Sequence, residues 1–233
     1  MAMIDINRHR FLLVQILKDI YSDLELANSL GFKGGSALMF FYDLPRFSFD
    51  LDFNLLHVEK EHVAYKKIRS ILLKYGKIFD EARKFHGPLL VLDYRVNERK
   101  LKVEISNREF ENRYEIKNLL GINVKVLMQE DMFAHKLCAL LDRITIANRD
   151  IFDCWFFMQR QTPVNKNIVE SRMGMPFPEY LQECIIRLEG MSNKGLLQGM
   201  GELLDTKMKM FVKQNLKEEA IKLLKFYKDY PIL

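Results

Sequence analysis

Between Arg8 and Leu30 the apolar positions Leu12, Ile16, Ile20 and Leu24 recur every four residues, and Phe11, Leu13, Leu17 and Ala27 widen the stripe. That spacing predicts one amphipathic helix, stopped by Gly31. Gly34-Gly35-Ser36 interrupts the pattern, and Ala37–Tyr42 resumes it as a short helix closed by Asp43-Leu44-Pro45. From Ser48 to Leu55 the period shortens to two: Phe49, Leu51, Phe53 and Leu55 alternate with Ser48, Asp50, Asp52 and Asn54. This predicts a half-buried strand with both carboxylates on its open face. Lys60–Tyr75 returns to helical spacing, while Lys77–Glu81, Leu89–Val96, Leu101–Ser106 and Val124–Leu127 read as strands. In the third of these, Lys102, Glu104 and Ser106 face outward. From Glu130 to Tyr230 the chain reads as successive helices, with loops near Asn148, Pro163, Met173–Pro178 and Gly190–Lys194. The prediction is an α+β protein: a mixed-sheet lobe with an N-terminal helix over residues 1–128, then a helical lobe over residues 129–233. No linker rich in Gly, Pro or Ser divides them, so the lobes are expected to pack together.

Composition narrows the picture. At 233 residues, 48% hydrophobic and 29% charged, the chain can bury a large core, which excludes a disordered or collagen-like protein. The longest apolar runs, such as Ser36–Tyr42 and Leu89–Leu92, fall short of the roughly 20 residues that cross a bilayer, so no membrane role is expected. No export signal is readable in Met1–Arg10. Cys138, Cys154 and Cys184 lie far apart in predicted helices, which suits buried thiols in a reducing cytoplasm better than disulfides or zinc. The 36 Lys and Arg against 31 Asp and Glu leave a charge of +5, which permits contact with nucleic acid without requiring it. With no heptad seam, a monomer is expected.

The most informative segment is Lys33-Gly34-Gly35-Ser36, followed after thirteen residues by Asp50-Leu51-Asp52. A Gly-Gly-Ser turn entering a helix lets backbone N–H groups and a small hydroxyl approach an anionic oxygen. Carboxylates at i and i+2 on one strand face project side by side, as a pair of Mg²⁺ ions requires of hard oxygen ligands. Glu104 is the natural third carboxylate, with Asp93 in reserve. Taken singly, a Gly-Gly turn and an Asp-x-Asp on a polar strand face are ordinary; in this order they resemble the nucleotidyltransferase superfold shared with DNA polymerase beta. A P-loop is excluded, because Lys33 precedes the glycines instead of following them.

A second constellation comprises Lys136, Arg143, Asp150 and Asp153, at intervals of seven, seven and three. Seven steps at about 100° return to within about 20° of the same helix face, so Lys136 and Arg143 share a side. Such cations can neutralise charge on departing pyrophosphate, with the aspartates holding them; an ordinary salt-bridged face has the same spacing. The five histidines show no ligand spacing, so zinc is not expected. Lys207–Asp229 carries seven Lys against two Glu and one Asp, a +4 stretch that suits either a solvated helix face or an RNA backbone.

The stretches Lys33–Leu38, Arg46–Phe53, Ala134–Leu140 with Arg143, and Arg149–Asp153 look like the ordered motifs of the AbiEii/AbiGii toxin family. That resemblance implies an NTP-dependent, Mg²⁺-requiring nucleotidyltransferase, the toxin half of a toxin–antitoxin or abortive-infection pair with a cognate antitoxin. Characterised relatives place nucleotides on the 3′ acceptor end of tRNA. Carried over by position, Gly35 and Ser36 contact phosphate, Asp50 and Asp52 bind metal, Lys136 holds the triphosphate and Asp153 supports the nucleotide site, with Arg46, Arg143 and Asp150 as helpers. The residue before the metal-binding Asp is commonly acidic in the family; here it is Phe49, which the strand pattern turns toward the core. The motifs specify the donor chemistry and leave the acceptor open, so a protein or small-molecule acceptor, and a non-catalytic nucleotide- or partner-binding module, stand as alternatives.

Overall fold

The computed structural model describes residues 5–96, 98–142 and 145–233. Near its start, Asp23 decides the local structure. Its carboxylate accepts from the amides of Glu25 and Leu26 at 3.0 and 3.1 Å, which ends α1 (Ile6–Ser22) and caps α2 (Leu24–Ser29). The single helix expected over Arg8–Leu30 is therefore two. Gly31 is not a helix stop but the second residue of β1 (Leu30–Lys33). A Cβ at Gly31 would stand 2.1 Å from the Tyr114 ring, so glycine admits that ring against the strand.

After α3 (Gly34–Phe41) come β2 (Leu51–Leu55), α4 (Glu61–Leu73), β3 (Lys77–Lys84), β4 (Gly87–Asp93), β5 (Leu101–Ser106), β6 (Tyr114–Leu119) and β7 (Ile122–Leu127). The strands form one sheet in the order β3-β4-β5-β2-β1-β7-β6. β2 lies parallel to β5 and β1 parallel to β7, and the remaining pairs are antiparallel. One sheet face supplies Leu51, Phe53, Leu101, Val103 and Ile105 to the core, as the period-two pattern predicts, and α1 contributes Leu13, Ile16, Leu17 and Ile20. β6 was not anticipated: it is an edge strand whose Glu115 and Lys117 obscure any apolar alternation. It turns into β7 through Leu120 and Gly121, both at positive φ (51° and 85°), the backbone a two-residue hairpin favours.

These strands, with α1 to α4, form one compact unit: the chain up to Asp43, Phe47–Phe110 and Tyr114–Leu127. A second unit takes Leu44–Arg46, Glu111–Arg113 and Met128–Leu233. It contains α5 (Gln129–Asp142), α6 (Asn148–Gln159), α7 (Lys166–Met173), α8 (Phe177–Glu189), α9 (Thr206–Gln214) and α10 (Leu216–Asp229). α6 is buried almost all round through Ile151, Phe152, Cys154, Phe156, Phe157 and Met158, the signature of a central helix. All three cysteines are buried free thiols, and burial pushes those of Cys138 and Cys184 up to about 12. Among the described residues no helix is long and apolar enough to cross a membrane.

Candidate active site

Strand alternation sends Leu51 and Phe53 inward and leaves the Asp52 carboxylate half-buried on the opposite face. In register, Asp52 stands opposite Lys33 of β1 on one side and Glu104 of β5 on the other. Directly opposed residues share a sheet face, and adjacent strands lie about 4.8 Å apart, so Lys33, Asp52 and Glu104 form one row. Asp93 does not join it. Leu89 is the residue of β4 opposite Glu104, and Asp93 lies four residues further along, about 13 Å away, opposite Lys77.

The glycine turn meets this row directly. Gly34 has φ +80°, and a Cβ there would fall 2.3 Å from Asp52 Oδ2 and 3.0 Å from Asp52 Cβ. Only glycine satisfies both the left-handed backbone and the approach to the carboxylate. Gly35 and Ser36 follow in the first turn of α3, both buried, and no side chain caps that helix start. Ser36 is fully buried, and its hydroxyl donates to the backbone carbonyl of Asp50. In this structure it ties the turn to the acidic segment. Asp50 itself lies just ahead of Leu51, the first residue of β2.

A residue that sequence reasoning missed stands behind Asp50. His9 of α1 is fully buried, with Nε2 2.9 Å from the Phe49 carbonyl and Nδ1 2.9 Å from the Tyr94 hydroxyl. Burial lowers its pKa, against the carbonyl bond, and favours the neutral ring. Its one sequence signal is position, on the stripe of Leu13, Ile16 and Ile20 where an apolar residue is expected. Phe49, in place of the family's usual acid, is buried against the rings of Phe47 and His9, at centroid distances of 4.8 and 5.0 Å. It faces the core as the strand pattern predicts.

In the second unit, Arg46, Lys136, Asp150 and Asp153 converge. Arg46 forks onto Asp153, Nε to Oδ1 at 2.6 Å and Nη2 to Oδ2 at 2.7 Å. Lys136 Nζ lies 2.7 Å from Asp153 Oδ2 and 3.6 Å from Asp150 Oδ1. Asp150, Asp153 and Arg46 are buried, while the Lys136 side chain keeps 19% of its surface exposed. Burial would raise the Asp153 carboxyl, but the Arg46 and Lys136 charges outweigh it and hold the group at about 2. Burial likewise opposes the Lys136 ammonium, and the Asp153 and Asp150 carboxylates more than offset it, raising its pKa. Asp153 thus orients two cations at once, and Lys136 is the better exposed of them. Arg143, expected on the Lys136 face, lies outside the described residues.

Along the basic C-terminal stretch, Lys217 donates to the carbonyls of Glu189 and Met191, Lys222 and Lys225 pair with Glu219 and Glu189, and Lys228 donates to Gln182. Part of its charge therefore has intramolecular partners, of the labile kind that exposed pairs form.

Among the described residues no three His, Cys, Asp or Glu side chains gather into a ready-made metal cage. Mg²⁺ needs less than that, since one or two carboxylates suffice when phosphates and water complete its shell. Asp52 and Glu104, opposed in the sheet, and Asp50, two residues before Asp52, are hard oxygen donors of the kind such an ion takes.

Comparison with known proteins bears on both clusters. Two chains from Helicobacter pylori share the fold. One has a TM-score of 0.61 at 19% identity and covers 97% of this chain and 95% of its own; the other, JHP933, has 0.57 at 20%, covering 97% and 93%. MenT4, a nucleotidyltransferase toxin from Mycobacterium tuberculosis, aligns with a TM-score of 0.61 at 16% identity over 95% of this chain and 84% of its own. The mixed sheet followed by helices is thus a nucleotidyltransferase-like α+β fold. Comparison with curated proteins returns no match. A family model matches residues 15–183, a span that holds the glycine turn, the acidic strand, Glu104 and the whole Arg46–Lys136–Asp153 cluster, and by that match the chain belongs to the nucleotidyl transferase AbiEii toxin family of Type IV toxin–antitoxin systems.

Proposed function

We propose that this chain transfers a nucleoside monophosphate from an NTP to an acceptor hydroxyl, that it requires Mg²⁺, and that the acceptor is the 3′ end of a tRNA. The observation that carries the reading is the row Lys33–Asp52–Glu104 with Gly34 closed against Asp52. It sets carboxylates beside an uncapped helix start, so hard oxygen ligands and phosphate-binding amides occupy one face of one sheet.

Asp50 and Asp52, with Glu104, hold the metal, whose contribution when bound is to neutralise phosphate charge and make the acceptor hydroxyl easier to deprotonate. Gly35 and Ser36, in the first turn of α3, orient phosphate oxygens. Lys136 contacts phosphate, and Asp153 fixes its ammonium and the Arg46 guanidinium so that no reorganisation is needed as charge builds. In the transfer, the acceptor oxygen bonds to the α-phosphorus, the bond to the β-phosphate oxygen breaks, and pyrophosphate leaves as the hydroxyl proton passes to solvent. Growth arrest through blocked tRNA ends, relieved by a cognate antitoxin, follows from this activity. A cytoplasmic site of action accords with such a substrate.

The test is incubation of the purified protein with Mg²⁺, each labelled NTP in turn, and total bacterial RNA plus soluble protein, with Asp52→Asn as control. Label on RNA of tRNA size is expected, reduced by about three orders of magnitude or more in the variant. Label on protein would replace the acceptor and keep the chemistry. Full activity of Asp52→Asn would overturn the reading.

A further inference from the structure

The two aspartates are held by different means. Asp52 is paired on both sides, so the sheet ladder sets its place. Asp50 precedes the first ladder residue, Leu51, and two side chains take over the task. The Phe49 carbonyl belongs to the planar peptide unit on the N-terminal side of the Asp50 Cα, and the Asp50 carbonyl to the unit on its C-terminal side. His9 Nε2 bonds the first and the Ser36 hydroxyl bonds the second. With both planes pinned, φ and ψ of Asp50 are determined, and with them the direction in which its carboxylate leaves the backbone.

We propose that His9 is a positioning residue for Asp50, acting through the Phe49 carbonyl and held in its donor tautomer by Tyr94. The inference rests on the reading of Asp50 and Asp52 as metal ligands. A carbonyl only accepts, so Nε2 carries the proton; Nδ1 of the neutral ring then accepts from the Tyr94 hydroxyl. The rings of Phe47, Phe49 and Tyr94 enclose the imidazole at centroid distances of 6.0, 5.0 and 5.5 Å. A leucine here would fill similar space without the cost of burying polar atoms. The two hydrogen bonds are what the imidazole adds, and one of them ends on the peptide that aims a metal ligand.

The full chain is titrated with Mn²⁺ in the presence of tripolyphosphate, free Mn²⁺ being followed by electron paramagnetic resonance, and thermal unfolding is recorded for every variant. His9→Leu removes the donor and keeps the bulk, and His9→Gln keeps an amide donor near the Nε2 position. Ile20→Val, buried in the same helix, controls for lost stability alone. Mn²⁺ affinity is expected to fall about tenfold in His9→Leu, roughly the worth of one lost hydrogen bond, and to return within about threefold of wild type in His9→Gln. Ile20→Val is expected to bind as wild type. Should His9→Leu not fold, Tyr94→Phe serves instead, with an expected loss of about threefold. Wild-type affinity in His9→Leu (or in its substitute), an equal loss in Ile20→Val, or no recovery in His9→Gln would overturn the proposal. Undiminished binding in Asp52→Asn would instead remove the metal-seat reading itself, so the two failures are told apart.

Discussion

Gly34 and Gly35 are adjacent in a motif whose glycines look interchangeable in sequence, yet the structure gives them different work. Gly34 holds φ +80° and lets Asp52 Oδ2 approach where a Cβ would sit. Gly34→Ala should therefore cost about 1–2 kcal/mol in backbone strain alone, read from the urea midpoint, and should lower transfer activity as well because Asp52 must move. A variant with wild-type stability and activity would show that neither the backbone conformation nor the contact matters. The Ser36 hydroxyl reaches the Asp50 carbonyl, which makes it a brace for the acidic segment as well as a residue of the α3 start. Such a residue is legible as small and polar in sequence, but its acceptor is fourteen residues away and is chosen by the turn of α3 onto β2.

At the level of elements, periodicity located β2, β5 and the helices of the second unit, because strands and helices that bury one face repeat it every 2 or 3.6 residues. It failed where an element is short or two-sided. β1 has four residues, too few to show alternation, and β6 lies at a sheet edge with little to bury. The division of the first predicted helix rests on Asp23, which caps α2 and also receives Lys67 Nζ at 2.9 Å. Asp23→Ala is expected to destabilise the chain by about 1 kcal/mol, the usual worth of an N-cap, as measured by chemical denaturation. An unchanged midpoint would mean that packing, not the cap, breaks the helix.

For the molecule as a whole, acid should expose the ion cluster of the second unit. Asp153 is held at about 2 in the folded chain against an ordinary value of 3.8, so the folded state favours its ionised form. The stability this supplies is fully present above about pH 4 and is lost as the pH falls toward 2. The urea midpoint of Asp153→Asn should lie well below wild type near pH 7, and the gap should narrow between pH 4 and pH 2. A gap independent of pH would mean that the carboxylate charge contributes nothing. Truncation to Asp153→Ala, which takes the shared carboxylate from Arg46 and Lys136 and leaves a buried gap, is expected to cost about 3–5 kcal/mol at neutral pH. The net charge of +5 belongs to this scale too: if tRNA is the acceptor, the logarithm of its affinity should fall linearly with the logarithm of salt concentration.

By itself the sequence determined the period-two strand that carries Asp52, although the strand starts at Leu51 and leaves Asp50 just ahead of it, together with the glycine turn before it, the helical second half, and the order of motifs that marks the family. All of these are carried by residues within a few positions of each other, where backbone geometry alone decides which side chains are neighbours. The tertiary structure decided the rest. It brought Glu104 rather than Asp93 beside Asp52, through the register of β2 against β5. It delivered Arg46 to Asp153 across 107 residues, and it seated His9 against the Phe49 carbonyl across 40. Pairings at such separations depend on how whole elements pack, and a polar residue within an apolar stripe discloses its partner only when the stripe is laid against the sheet.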